Sequence, residues 1–101
     1  MMNPKNPPVR DPDWLKKVKS MCCVITGYPE SDPAHIRYGL GGGMGMKPGD
    51  DCVIPIRHDL HVIQHNVGEI TFWAKYISAN PDFMMKCLKA YARELYKEHK
   101  E

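Results

Sequence analysis

The chain carries 101 residues, 43% hydrophobic and 26% charged, with a formal net charge of +2. That length predicts one domain with a modest core, and no apolar stretch is long enough to span a bilayer. The charge is too small to require a polyanionic partner, but admits one if the basic residues cluster.

The polar, proline-rich N-terminus has no apolar segment of the signal-peptide type, and residues 1–10 read as an extended, flexible arm ahead of a domain over 11–101. The four cysteines, Cys22, Cys23, Cys52 and Cys87, show no Cys-x-x-Cys spacing. This argues against a disulfide framework or a self-contained cysteine zinc finger, and predicts free thiols in a cytoplasmic setting.

Asp11-Pro12-Asp13-Trp14 is a helix-start signature: a capping carboxylate, proline at the first helical position, then an acid in the first turn. The short helix that follows turns Trp14, Leu15 and Val18 inward. Cys22-Cys23-Val24-Ile25 is a β-prone run closed by a turn over Thr26–Pro29. Strand alternation over Ser31–Tyr38 sets His35 and Arg37 on one face. Gly39–Asp50 is a long glycine-rich loop that fits neither a P-loop nor a dinucleotide-binding frame. Asp51–Ile56 is a second β-prone run, with Pro55 near its end.

The next stretch, His58-Asp59-Leu60-His61-Val62-Ile63-Gln64-His65, reads as an amphipathic helix stopped by Gly68. His61 and His65 lie one turn apart on one face, close enough to share a divalent metal. Leu60, Ile63 and Val67 form its expected core edge. Ile70, Trp73, Ala74 and Ile77 share a face of a following helix. Asn80-Pro81-Asp82 opens a last helix with an apolar stripe of Met84, Cys87, Leu88, Tyr91 and Leu95, and a charged tail expected to fray.

The order strand with His35, glycine loop, strand, helix with His61 and His65 resembles the ββα-metal fold of the HNH (His-Me finger) endonucleases. Asp32-Pro33-Ala34-His35-Ile36-Arg37, Asp50, Val53-Ile54-Pro55-Ile56, His61-x-x-x-His65 and Gly68-Glu69…Phe72-Trp73 are similar to phage and prophage members, including the recombination-enhancement nuclease family. The resemblance covers roughly residues 21–75. It implies an α+β fold with a ββα core over about 21–67, a short N-terminal helix and two additional C-terminal helices over about 69–98.

It further implies phosphodiester hydrolysis on DNA. His35 would be the general base, and His61 and His65 would hold one divalent ion, Mg²⁺, Mn²⁺ or Zn²⁺. Arg37 would grip phosphate, with Lys47 and Arg57 as weaker nucleic-acid contacts. Relatives often carry a structural zinc on two ligand pairs. Here those positions read Cys23 and Thr26, then Arg57 and Leu60, so no structural zinc is expected. Ala34 stands where relatives often have a third metal ligand, and the middle Asn of the pattern is replaced near Asp50, Asp51 or Cys52. A zinc held by His35, His61 and His65 together is a second arrangement. Two rival functions remain: a non-catalytic nucleic-acid-binding accessory protein on a degenerate HNH scaffold, and a protein–protein adaptor using the last helix. Oligomeric state stays open, a homodimer included.

Overall fold

Val53-Ile54-Pro55-Ile56 form a strand buried at every position, and the fold is built around it. Alternate residues of a strand face opposite ways. Ile54 and Ile56 join the larger apolar cluster with Phe72, Trp73, Met84, Met85, Leu88 and Ala92. Val53 joins a smaller one with Trp14 and Val18. Apolar layers therefore cover both sides of the strand, which explains its unbroken hydrophobic character.

The computed structural model describes residues 8–38 and 48–101. In chain order these form α1 (Pro12–Lys19), β1 (Asp32–His35), β2 (Val53–Ile56), α2 (His58–Val67), α3 (Glu69–Trp73) and α4 (Pro81–Lys100). This is a mixed α+β architecture with a two-stranded antiparallel sheet. β1 pairs with β2 in the register Asp32↔Ile56, Pro33↔Pro55, Ala34↔Ile54 and His35↔Val53. The glycine-rich stretch from Gly39 to Lys47 and the first seven residues of the arm lie outside the described residues. No described helix is long and apolar enough to cross a membrane.

Several elements differ from the sequence-based expectation. The run at Cys22–Ile25 forms no strand; Val24–Thr26 is a turn. Val24 N–H is donated to the Pro55 carbonyl at 3.0 Å, its tie to the sheet among the described residues, while Gly27 N–H closes the turn on the Cys23 carbonyl. The Cys23 thiol organises this turn, accepting from the N–H groups of Ile25 and Thr26 at 3.4 Å each. Burial pushes the thiol up, but the Thr26 hydroxyl and the N–H groups of Thr26, Arg57 and Ile25 outweigh it and leave Cys23 below the usual thiol range. Leu60 packs against the cluster that contains Cys23. Cys23, Thr26 and Arg57 thus meet through hydrogen bonds to the thiol.

β1 ends at His35, so Arg37 lies beyond the strand. The expected core edge of α2 is largely exposed: Ile63 and Val67 are each 41% accessible, and only Leu60 packs inward. In α3 the buried pair is Phe72 and Trp73 rather than Ile70 with Ala74. α4 buries Met84, Met85, Leu88 and Ala92, leaving Cys87 and Tyr91 outside. Its end is tied down: Tyr96 donates to Asp11 at 3.0 Å, Lys100 lies 3.3 Å from the same carboxylate, and the His99 ring packs 4.8 Å from Trp14. Asp11 therefore caps α1 and anchors the end of α4.

Ile54→Ala should cost about 2–5 kcal/mol of unfolding free energy, whereas Ile63→Ser should change it by less than about 0.5 kcal/mol; denaturant midpoints of the two variants check the reassigned face of α2. Asp11 is held below the usual carboxylate range, chiefly by the Trp14 N–H, with Tyr96 and Lys100 adding to it. Its contribution is present at neutral pH and lost as the pH falls below roughly 4. Melting temperatures across that range should fall more steeply for the wild type than for Asp11→Asn.

Candidate active site

The C-terminal half of α2 and the start of α3 face the end of β1 across a cleft of about 270 Å³, lined by His35, Arg37, Gln64, His65, Gly68 and Glu69. Gly68 makes this corner possible. Its φ of 91° ends α2 and starts α3 in a backbone conformation that L side chains rarely adopt.

His35 is the last residue of β1, and its Nε2 lies 2.9 Å from Asp50 Oδ1. The Asp50 side chain is only 7% exposed, against 31% for His35. Asp50 Oδ2 accepts the Asp11 N–H at 2.8 Å, Arg10 Nη1 stands 3.6 Å from Oδ1, and the Asp50 N–H is donated to the Val9 carbonyl at 2.9 Å. Gly49 allows this close passage: a methyl group there would stand 3.2 Å from Val9 N and collide with the Asp51 carboxylate. A carboxylate has no proton to give, so His35 Nε2 is the donor and Nδ1 keeps the lone pair of the neutral ring.

A second aspartate organises the helix pair. Asp32 Oδ2 accepts from His58 Nδ1 at 2.6 Å and from His61 Nδ1 at 3.1 Å. Burial pushes the Asp32 carboxyl up, but these two histidine bonds outweigh it and hold it below the usual range. The Nδ1 contact leaves His61 Nε2 facing His65 Nε2 at 3.0 Å. Two ligands about 2.0–2.1 Å from one ion, at tetrahedral or octahedral angles, stand roughly 2.9–3.4 Å apart. The separation of the two nitrogens and the carboxylate behind His61 both suit a metal held by imidazole. Among the described residues no group of three or more His, Cys, Asp or Glu side chains could hold a metal ion. Ala34 contributes no ligand; it is buried in the core.

The structure thus brings His35, Arg37 and His65 to one cleft, with His61 adjacent through its contact with His65. Arg37 is exposed, and its backbone N–H is donated to Glu69 Oε1 at 2.5 Å, tying the segment after β1 to α3. Arg57 lies at the opposite end of α2, in a two-pronged pair with Asp59 at 2.6 and 2.8 Å. Lys47 lies outside the described residues. Sequence reasoning gave no role to Asp32, Gln64 or Glu69. Strand parity would have pointed to Asp32, which shares a face with Ala34. Asp50 is fifteen residues from His35, and only the closed hairpin joins them.

At a pH where the rings are neutral, ring-nitrogen NMR should report His61 as the Nδ1–H tautomer and His35 as Nε2–H. Asp32→Asn should scramble the first and Asp50→Asn the second. A mixture of tautomers at His61 in the wild type would contradict the hydrogen bonding described here.

No curated protein and no solved structure matches the chain. A family model does, over residues 1–93, and the chain belongs to that family, described as a protein of unknown function (DUF968).

Proposed function

We propose that the protein is a metal-dependent endonuclease that hydrolyses phosphodiester bonds in DNA, on a ββα-metal scaffold of the HNH kind. The observation that carries this reading is the meeting of an aspartate-oriented histidine, an exposed arginine and the opposed α2 histidines around one cleft. The antiparallel pair followed directly by α2 supports the scaffold.

In this reading His35 Nδ1 takes a proton from the attacking water while Nε2–H stays on Asp50. The carboxylate holds the ring in one tautomer and stabilises the imidazolium that forms. The hydroxide oxygen bonds to phosphorus as the bond to the leaving oxygen breaks, and that oxygen is protonated from solvent. Arg37 grips a non-bridging phosphate oxygen at the mouth of the cleft. His61 and His65 would hold the divalent ion, which supplies charge stabilisation for the phosphorane and the leaving oxygen. Arg57, paired with Asp59 and remote along α2, is a peripheral backbone contact at most.

A non-catalytic nucleic-acid-binding role draws on the buried Ala34 and the two-histidine ligand set. The adaptor reading loses most of its surface, since Met84 and Leu88 are buried and Leu95 packs on the smaller cluster.

Plasmid DNA incubated with Mg²⁺, Mn²⁺, Zn²⁺ or Ni²⁺ should be cleaved by the wild-type protein and spared when a chelator is added. His35→Ala should abolish cleavage while DNA binding persists. Asp32→Asn should weaken metal affinity roughly 10–100-fold by calorimetry. Salt-dependent binding with no cleavage under any of these ions would favour the accessory role, and cleavage by His35→Ala at the wild-type rate would end the nuclease reading.

A further inference from the structure

One side of α4 is apolar and uncovered. Phe83, Cys87 and Tyr91 follow one another at intervals of four residues, so they run along one side of the helix with about 6 Å between neighbours. Phe83 is 63% exposed and Tyr91 48%, and the Cys87 thiol is exposed and free. Tyr91 also lines a cavity of about 330 Å³ with Val24, Trp73, Tyr76 and Leu88, and no charged residue stands in its described lining. One face thus carries an aromatic knob and, two turns along, an apolar hole that admits an aromatic ring.

A knob and a hole on one face complement each other when the face meets its own copy. We propose that this face joins two copies of the chain, α4 against α4 in antiparallel, about a two-fold axis beside Cys87. Phe83 lies four residues before Cys87 and Tyr91 four after it. The axis therefore sets Phe83 of each copy over Tyr91 of the other, at the cavity, and brings the two Cys87 thiols face to face. It also carries the exposed Glu94, seven residues after Cys87, to Asn80 of the second copy, seven residues before it. Asn80 caps the N-terminal end of the opposing α4, where the helix dipole favours a carboxylate. An unrelated apolar ligand would fill the hole and leave Phe83 in water; a second copy covers both. Aromatic side chains bury about 150–250 Å² each. Two such faces with their rims therefore remove on the order of 1,000 Å², the lower limit of a specific interface, and the dimer is weak and reversible. Nothing in this pairing depends on the nuclease reading.

Sedimentation velocity of the full chain under reducing conditions, from micromolar to millimolar concentration, tests the pairing. The wild type should pass from monomer to dimer. Phe83→Ala should raise the dissociation constant at least about tenfold. Cys87→Arg sets two guanidinium groups against each other on the axis and should leave a monomer. Both positions are exposed, so the melting temperatures of the dilute variants should match the wild type. At dimerising concentrations diamide, which takes up the two electrons and two protons, should join the two Cys87 sulfurs in a disulfide. That crosslink should be lost in Cys87→Ser and Phe83→Ala and kept in Cys22→Ser. A wild type that stays monomeric throughout overturns the proposal. So does a dimer that either Phe83→Ala or Cys87→Arg leaves intact, and so does a crosslink that runs through Cys22 alone. Should one of the two variants melt early, the other decides by the same criterion.

Discussion

A buried carboxylate governs this structure. Removing Asp50 from water costs several kcal/mol unless its oxygens are paired, and its partners come from two segments distant from it in sequence. The Asp11 N–H comes from the start of α1, the Arg10 guanidinium from the arm, and His35 Nε2 from the end of β1. The Asp50 N–H in turn holds Val9. Satisfying one charge thus fixes where residues 9–10 run, where α1 begins and which nitrogen of His35 carries the proton. Low exposure of the carboxylate strengthens each of these bonds relative to water.

Asp32 repeats the device on the other side of the site. It ties His58 and His61 to the start of β1, so the helix is clamped to the strand at its N-terminal turn and the His61 ring is turned to face His65. Two aspartate–histidine couples therefore set the tautomers of His35 and His61 independently. Such double orientation is wasted on surface histidines. It is useful where ring nitrogens must present lone pairs to a cation or a proton donor.

The knuckle around Cys23 shows a related economy. Thr26 and Arg57 converge on the thiol, and backbone N–H groups of Ile25, Thr26 and Arg57 surround its sulfur. A hydrogen-bonded turn thus anchors the end of β2 and the residue that precedes α2, through Val24 N–H on Pro55 and Arg57 N–H on Cys23. The exposed apolar residues of α2 and α3, Val62, Ile63, Val67 and Ile70, take no part in either core cluster.

Local chemistry alone determined much of this protein. Asp11-Pro12 and Asn80-Pro81 start α1 and α4, Gly68 stops α2, and the spacing of His61 and His65 puts both rings on one side, because caps, φ restrictions and helical period act within a few residues. Tertiary structure decided what depends on partners distant in sequence. Val24 lies in a turn because the edge of β2 offers it a single carbonyl. Ile63 faces solvent because α2 turns its histidines and Gln64 toward the strands. Asp32 and Asp50 gained their partners, and Gln64 its burial, only when β1, β2, α2 and α3 came together, since a side chain's hydrogen-bond partner and its exposure are properties of the folded neighbourhood, not of the residue.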